Sequence, residues 1–278
     1  MTTSAPHHVR IQPTRGWWTM QDLRELIGYH ELLYFLMWRT LKVRYRQTIL
    51  GAGWVIAQPL FTMLVFSVFL GRLAKLPSDG LPYPVFALAG LIPWAYFANA
   101  LGNTTNSLVD NERLLTKVYF PRILLPVAVV LSGLLDLGLA LVVLTVVSVA
   151  YGLVPGVQAL ALPGFILLAA AAALGPGLWF SAWNVQYRDV RNLVPFLTQV
   201  LLFVTPVAYA SSLVPPGWRL FYSVNPMASV VDGFRWALLG ASPVPAACLG
   251  VSTAVAFGTL LGGLWYFRRV ERRFADVI

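Results

Sequence analysis

Residues 122–150, RILLPVAVVLSGLLDLGLALVVLTVVSVA, form an apolar run whose interior carries one ionisable side chain, Asp136. A helix needs roughly 20 mainly apolar residues to cross the ~30 Å hydrocarbon layer of a bilayer, and this run exceeds that length. Five further runs of the same character lie at about 52–70, 84–102, 160–183, 193–211 and 244–267. Six such segments leave no aqueous fold open to the chain. Of its 278 residues, 58% are hydrophobic and 11% charged, against roughly 25% charged in a soluble domain. One water-facing core cannot hide that much apolar surface. The expectation is an all-α integral membrane protein with six transmembrane helices, because in lipid every backbone polar group must be satisfied within the segment.

Pro59, Pro93, Gly175-Pro176-Gly177, Pro195 and Pro206 interrupt several of these runs. Such breaks are tolerated where neighbouring helices or a cavity re-satisfy the freed carbonyls, or they are ordinary kinks. The 122–150 run is longer than a crossing requires, so it either tilts or projects beyond the bilayer.

The basic residues orient the chain. With the N-terminus inside, sixteen Lys and Arg fall on the inner side, and four, Arg72, Lys75, Arg219 and Arg235, on the outer side. The positive-inside rule then predicts both termini in the cytoplasm. The net charge of +9 is thereby read as topology, and no nucleic-acid partner is expected. The opening stretch MTTSAPHHVRIQPTRGWW lacks an apolar h-region, so no cleavable signal peptide is expected.

Three parts follow: residues 1–51, a cytoplasmic N-terminus; 52–267, the six-span domain; and 268–278, a basic cytoplasmic tail. Within 19–48, Thr19 followed by Asp22 reads as a helix N-cap with a favourable first-turn acid. Leu23, Leu26, Ile27, His30, Leu33 and Tyr34 then recur at helical spacing, predicting an amphipathic helix in the cytoplasmic interface. Its basic end, Arg39, Lys42, Arg44 and Arg46, either anchors the first span beside anionic headgroups or contacts a lipid pyrophosphate. The cytoplasmic segment 103–121 holds a short predicted helix with Asp110 and Glu112 early and Arg113 and Lys117 late; two carboxylates without a histidine are a weak metal site. Residues 212–243 are too apolar for a solvated loop and too broken by Pro215, Pro216, Gly217, Pro226 and Gly240 for a span. Two short re-entrant helices on the outer side are expected there. Asn225 starts one of them, and Asp232 and Arg235 are spaced to pair. Trp218, Phe221, Tyr222 and Trp236 either form an outer aromatic belt or stack on a ligand.

Chemistry is scarce. GAGWVIAQ and GRLAKLPS lack the Gly-Lys-Ser/Thr ending of a phosphate-binding loop. His7, His8 and His30 cluster near the N-terminus, and Cys248 is the single cysteine, so neither a metal site nor a catalytic triad is expected. Asp136 stands without a basic partner in the spans. It is either a satisfied interhelical hydrogen-bonding group or part of a pathway. In NVQYRDVRNLVPF (184–196), Asn184 can end the fourth span, and Asp189 can pair with Arg188 or Arg191. The chain has cavities to offer but no engine. Uphill transport would need a separate subunit, and the chain itself is expected not to be an enzyme and to hold no cofactor.

The collinear motifs KVRYRQTILGAGWVIAQPL (42–60), GLIPWAYFANAL (90–101), LLTKVYFPRILLP (114–126), NVQYRDVRNLVPF (184–196), TPVAY (205–209), NPM (225–227) and FRRVERRFADVI (267–278) resemble the membrane subunit of bacterial type-2 ABC exporters for polysaccharides. These are the O-antigen, capsule and teichoic-acid permeases, and the likeness covers almost the whole chain. Thr205 stands where the resemblance leads one to expect serine, which keeps the hydroxyl.

The resemblance implies a homodimer in the bacterial inner membrane with two cytoplasmic ABC ATPases, which carry the ATP and Mg. The cargo it implies is a polysaccharide on polyprenyl pyrophosphate. It implies docking to the ATPase through Leu114, Leu115, Thr116, Lys117, Tyr119 and Phe120, with Arg188 and Asp189 as a secondary contact. Sugar rings have apolar C–H faces, so the aromatics Phe61, Phe66, Phe69, Trp94, Tyr96, Phe97, Phe203 and Tyr209 are channel candidates. Rival readings are the same class exporting teichoic acid, another glycolipid or a drug; a membrane glycosyltransferase, which needs clustered acids where the outer side offers Asp79 and Asp232; and a proton-driven carrier acting through Asp136.

Overall fold

The computed structural model describes residues 28–46 and 53–271, and all regular structure among them is helical. The helices are α1 (His30–Tyr45), α2 (Gly53–Leu73, wound as a π-helix over Ser67–Leu73), α3 (Tyr83–Asn106), α4 (Glu112–Lys117), α5 (Leu124–Ala150), α6 (Leu162–Gln186), α7 (Val190–Val204), α8 (Arg219–Tyr222), α9 (Pro226–Leu239) and α10 (Ala246–Glu271). Five stretches are long and apolar enough to cross a membrane: Gly53–Leu73, Tyr83–Asn106, Leu124–Ala150, Val157–Gln186 and Ala246–Glu271. The protein is a multi-pass membrane protein.

α3 is the central helix. Its face from Val85 to Ile92, with Trp94, Tyr96, Phe97, Ala100 and Leu101, is buried against α5, α6, α9, α2 and α7. α2 buries none of its residues fully and touches the body through α3 and α5. Leu135, Val142 and Val146 on α5 and Leu167 on α6 point outward and are exposed, as an apolar solvent allows and water would not. α6 and α10 approach closely. A methyl group on Gly263 would lie 2.4 Å from the Gly175 carbonyl oxygen, so the small residue sets the helix separation.

The segment expected to span at 193–211 differs. Its helix ends at Val204 after 15 residues, about 22 Å at 1.5 Å per residue, short of the hydrocarbon thickness. The cause is Pro206. It pushes the preceding Thr205 into extended backbone, with ψ 142°, and supplies no N–H to continue the ladder.

α1 is fastened to one end of the bundle. Leu36 packs with Phe120, Ile123, Leu124, Leu125, Leu178 and Phe267 in a second core. The expected segregation into polar and apolar faces is absent over His30–Tyr45. Leu36 and Leu41 are buried, while Tyr34, Phe35, Trp38 and Val43 are exposed. The cap at Thr19 and Asp22 and the residues Leu23 to Ile27 lie outside the described residues, as does the tail beyond Glu271.

At the other end, residues 211–239 form two 3₁₀ turns, the one-turn α8 and the 14-residue α9. α9 is buried along most of its length, wedged on α3 and α6.

Candidate functional site

The broken end of α7 is where the sequence motifs TPVAY and NPM meet. A helix end leaves its last carbonyls without partners, and here side chains supply them. Thr205 donates from both its N–H and its hydroxyl to the Leu201 carbonyl, at 2.8 and 2.7 Å. Tyr209 donates to the carbonyls of Phe203 (3.0 Å) and Val204 (3.3 Å) and shares a 2.7 Å hydrogen bond with Tyr222. Asn225 caps α9 as expected, accepting from Met227 N at 3.1 Å. It also donates to the Thr205 hydroxyl at 2.8 Å.

Arg235 carries the next carbonyl. Its guanidinium donates to Val207 O at 2.8 Å, lies 3.6 Å above the Phe86 ring and reaches Asp232 at 3.5 Å. The anticipated i,i+3 pair therefore forms, at 3% exposure of the arginine side chain. Gly90 makes room for it, because a methyl group there would sit 2.9 Å from the guanidinium and 2.8 Å from Val207 O. Burial lowers the Arg235 pKa to about 10 and raises that of the Asp232 carboxyl. Sequence reasoning saw this pair but not its bracing role. The signal was a charged residue inside the buried apolar stretch VVDGFRWALL. Beside it a cavity of about 350 Å³ is lined by Asp79, Ser211, Ser212 and Tyr222 among others.

Asp136 has partners that the spans do not supply. Arg44 forms an ion pair with one carboxylate oxygen, and the Tyr45 hydroxyl donates to the other. Both come from the last turn of α1. As read from the sequence, the cation is not one of the spans' own: it arrives from the helix ahead of them. Burial, reinforced by the carboxylate, pushes the Tyr45 hydroxyl up to about 12. Arg44 and Arg39, both proposed for headgroup contact, are thus engaged, Arg39 donating to Asn111 at 2.8 Å. Lys42 and Arg46 are exposed. Next to the Arg44–Asp136 pair, α2, α3 and α5 part around a cavity of about 500 Å³.

The 103–121 segment presents a divided surface. Tyr119 is 74% exposed, and Thr116 and Lys117 are also exposed. Leu114 and Leu115 lie half-buried against the second core, and Phe120 is buried within it. Phe120 thus faces the body, while Tyr119 and Lys117 face away. In 184–196, Asn184 is buried and donates to Thr105 O and Asn106 Oδ1, both at 3.1 Å. It braces the end of α3, and the helix continues to Gln186. Arg188 and Asp189 are exposed, and among the described residues Asp189 makes no ion pair. The expected pairing with Arg188 or Arg191 is absent because all three side chains lie at the surface, where a pair gains little.

The aromatic channel candidates split into three groups. Phe61, Phe69 and Phe203 are exposed on outward faces, at 68, 59 and 72%. Trp94, Tyr96 and Phe97 are buried inside the protomer, and Trp94 and Tyr96 also line the 500 Å³ cavity. Phe66 packs on the main core, and Tyr209 is committed to the α7 carbonyls. Among the described residues no group of three or more His, Cys, Asp or Glu is placed to hold a metal ion.

Residues 31–239, three quarters of the chain, match the family described as ABC-2 type transporter. The chain belongs to that family. Similarity to individual family members is spread along the molecule. An O-antigen export system permease protein of Myxococcus xanthus is 32% identical over 216 residues, covering 77% of this chain and 82% of the relative. A protein of the same description from Klebsiella pneumoniae is 27% identical over 256 residues, 91% and 97% of the two chains. A polysialic acid transport protein of Escherichia coli is 22% identical over 239 residues, 85% and 92%. As an ABC-2 type transporter the chain is a transporter membrane subunit, and the divided surface at Phe120 and Tyr119 lies within the matched region.

Proposed function

We propose that this chain is the permease subunit of an ATP-driven exporter that moves a polyprenyl-pyrophosphate-linked polysaccharide across the bacterial inner membrane. The observation that carries this reading is the likeness to O-antigen permeases over 77 to 91% of the chain. In this reading two copies form a homodimer, and two cytoplasmic ABC ATPases, loaded with ATP and Mg, dock beneath them. The free face around Lys117 and Tyr119 is the docking surface, with Leu114, Leu115 and Thr116 in support and Arg188 and Asp189 as the neighbouring contact. α7 together with the extended residues after it makes the sixth crossing. α8 and α9 re-enter the outer leaflet, α1 lies at the cytoplasmic interface, and both termini are inside.

The channel runs between the two copies. Exposed Phe61, Phe69 and Phe203 suit such a seam, since aromatic faces hold sugar C–H faces weakly enough to let a chain slide. ATP-driven closure of the ATPases then tilts the two halves as rigid bodies. The likeness to a polysialic acid transport protein favours a second reading, in which the cargo is another surface glycan or glycolipid moved by the same device.

Deleting the gene in its host tests both. The proposal expects lipid-linked glycan to accumulate in the inner leaflet while the surface polymer disappears. Normal surface glycan in the deletion strain would refute it.

A further inference from the structure

The 500 Å³ cavity between α2, α3 and α5 sits inside one protomer. α2 presents Trp54 and Gln58 to it, one turn apart, and α3 presents Asn99 and Asn103, also one turn apart. Trp94 and Tyr96 lie in the α3 wall, and the Arg44–Asp136 pair with Tyr45 closes one side. Its volume falls in the range of small-molecule sites. Gln58 and Asn103 lie within about 8 Å of the starting and finishing ends of their helices, and Asn99 within about 11 Å, at 1.5 Å per residue.

Two observations define what fits. The side-chain amides of Gln58, Asn99 and Asn103 make no hydrogen bond among the described residues, and all three are exposed. Each offers two N–H donors and a carbonyl acceptor, and at membrane depth such groups are costly unless something answers them. The charges of the lining, by contrast, are already spent. Arg44 is neutralised by Asp136, so a pyrophosphate approaching the arginine would also meet a carboxylate. Unfilled amides, aromatic walls and a cancelled charge suit a neutral, hydroxyl-rich ring.

We propose that this cavity is a sugar-binding site in each protomer, holding a neutral sugar residue of the substrate through Gln58, Asn99 and Asn103 against Trp54 and Trp94. The site reads glycan and not pyrophosphate. This inference rests on the transport reading for its ligand class, and its test is independent of transport.

The probe is the water-soluble oligosaccharide released by mild acid from the host's own surface polysaccharide. It is titrated into purified full-length protein in a sugar-free detergent, with tryptophan emission as the signal. Saturable binding is expected for the wild type. In Asn99→Leu/Asn103→Leu the apparent Kd is expected to rise at least tenfold while Tm does not fall, since amides without partners contribute nothing to the fold. Inorganic pyrophosphate is expected neither to give the signal nor to compete. The proposal is overturned by no binding in the wild type, by an unchanged Kd in the variant, by a fall in Tm without a change in sugar affinity, or by saturation with pyrophosphate alone. Saturable sugar binding by the wild type together with normal surface glycan in the gene-deletion strain would refute the transport reading and leave the site standing.

Discussion

Asn225 joins two helices with one side chain: its amide oxygen caps α9 at Met227 N, and its amide nitrogen donates 2.8 Å to the Thr205 hydroxyl at the end of α7. The cap is worth about 1 kcal/mol and the hydrogen bond about another. Asn225→Ala loses both, while Thr205→Val loses the second together with the hydroxyl's own hydrogen bond to the Leu201 carbonyl, so each is expected to lower Tm by a similar amount. In a double-mutant cycle the two residues should couple by roughly 1 kcal/mol. Thr205→Ser keeps the hydroxyl and should match the wild type. Additive losses in the thermal unfolding of the purified protein would contradict the brace.

Arg235 and Asp232 make a second brace of higher stake. Arg235→Met leaves Val207 O without its donor and the partly exposed Asp232 carboxylate with its Ser211 hydrogen bond but no cation. Breaking a fully buried pair costs roughly 3–5 kcal/mol, and the partial exposure of Asp232 places this loss below that range. Adding Asp232→Asn to Arg235→Met removes the stranded charge and should recover part of that loss, read as folded yield and Tm. A single variant as stable as the wild type would show that the pair carries no load.

Asp136 tests a transport role against a structural one. Asp136→Asn removes the anion shared by Arg44 and Tyr45, so folded yield should fall more than transport per folded molecule. A proton-carrying Asp136 predicts the reverse, with normal yield and lost transport. The hydroxyl of Tyr45 has a folded pKa of about 12 against an ordinary 10.0. A raised pKa means its stabilisation is present in full below about 10 and disappears as pH rises toward about 12. Tyr45→Phe should lower Tm most at neutral pH, where that stabilisation is full, and flatten the alkaline part of the Tm–pH curve.

Much of this was legible in the sequence, and the limits have physical causes. The five long spans were readable because hydropathy over about 20 residues is a local property. The shortened α7 was mis-bounded because Pro206 ends hydrogen bonding without ending the apolar run. Asn225 as a cap and the Asp232–Arg235 spacing were readable because both are short-range. The pairing of Arg44 with Asp136 spans 92 positions, and the placement of Asn184 under Thr105 spans 79. Such contacts depend on helix rotation and packing that no local pattern encodes. The same holds for the aromatics. Phe61 and Trp94 look alike in a hydrophobic run, yet one is 68% and the other 7% exposed.

Tyr119 and Phe120 are neighbours with opposite fates, at 74 and 5% exposure. Tyr119→Glu places a charge on the free face and should leave folding intact while releasing the ATPase in co-purification. Phe120→Glu buries a charge in the second core and should abolish folded protein. Retention of the ATPase by a folded Tyr119→Glu would move the docking surface elsewhere.

The most direct measurement is reconstitution of the chain with its ATPase in proteoliposomes loaded with polyprenyl-pyrophosphate-linked glycan, followed by an enzyme that trims only glycan facing the lumen. The account predicts trimming that requires ATP, this chain and the ATPase together, and that disappears with Tyr119→Glu. Trimming at the same rate without ATP, or none with all components present and the ATPase bound, would contradict it.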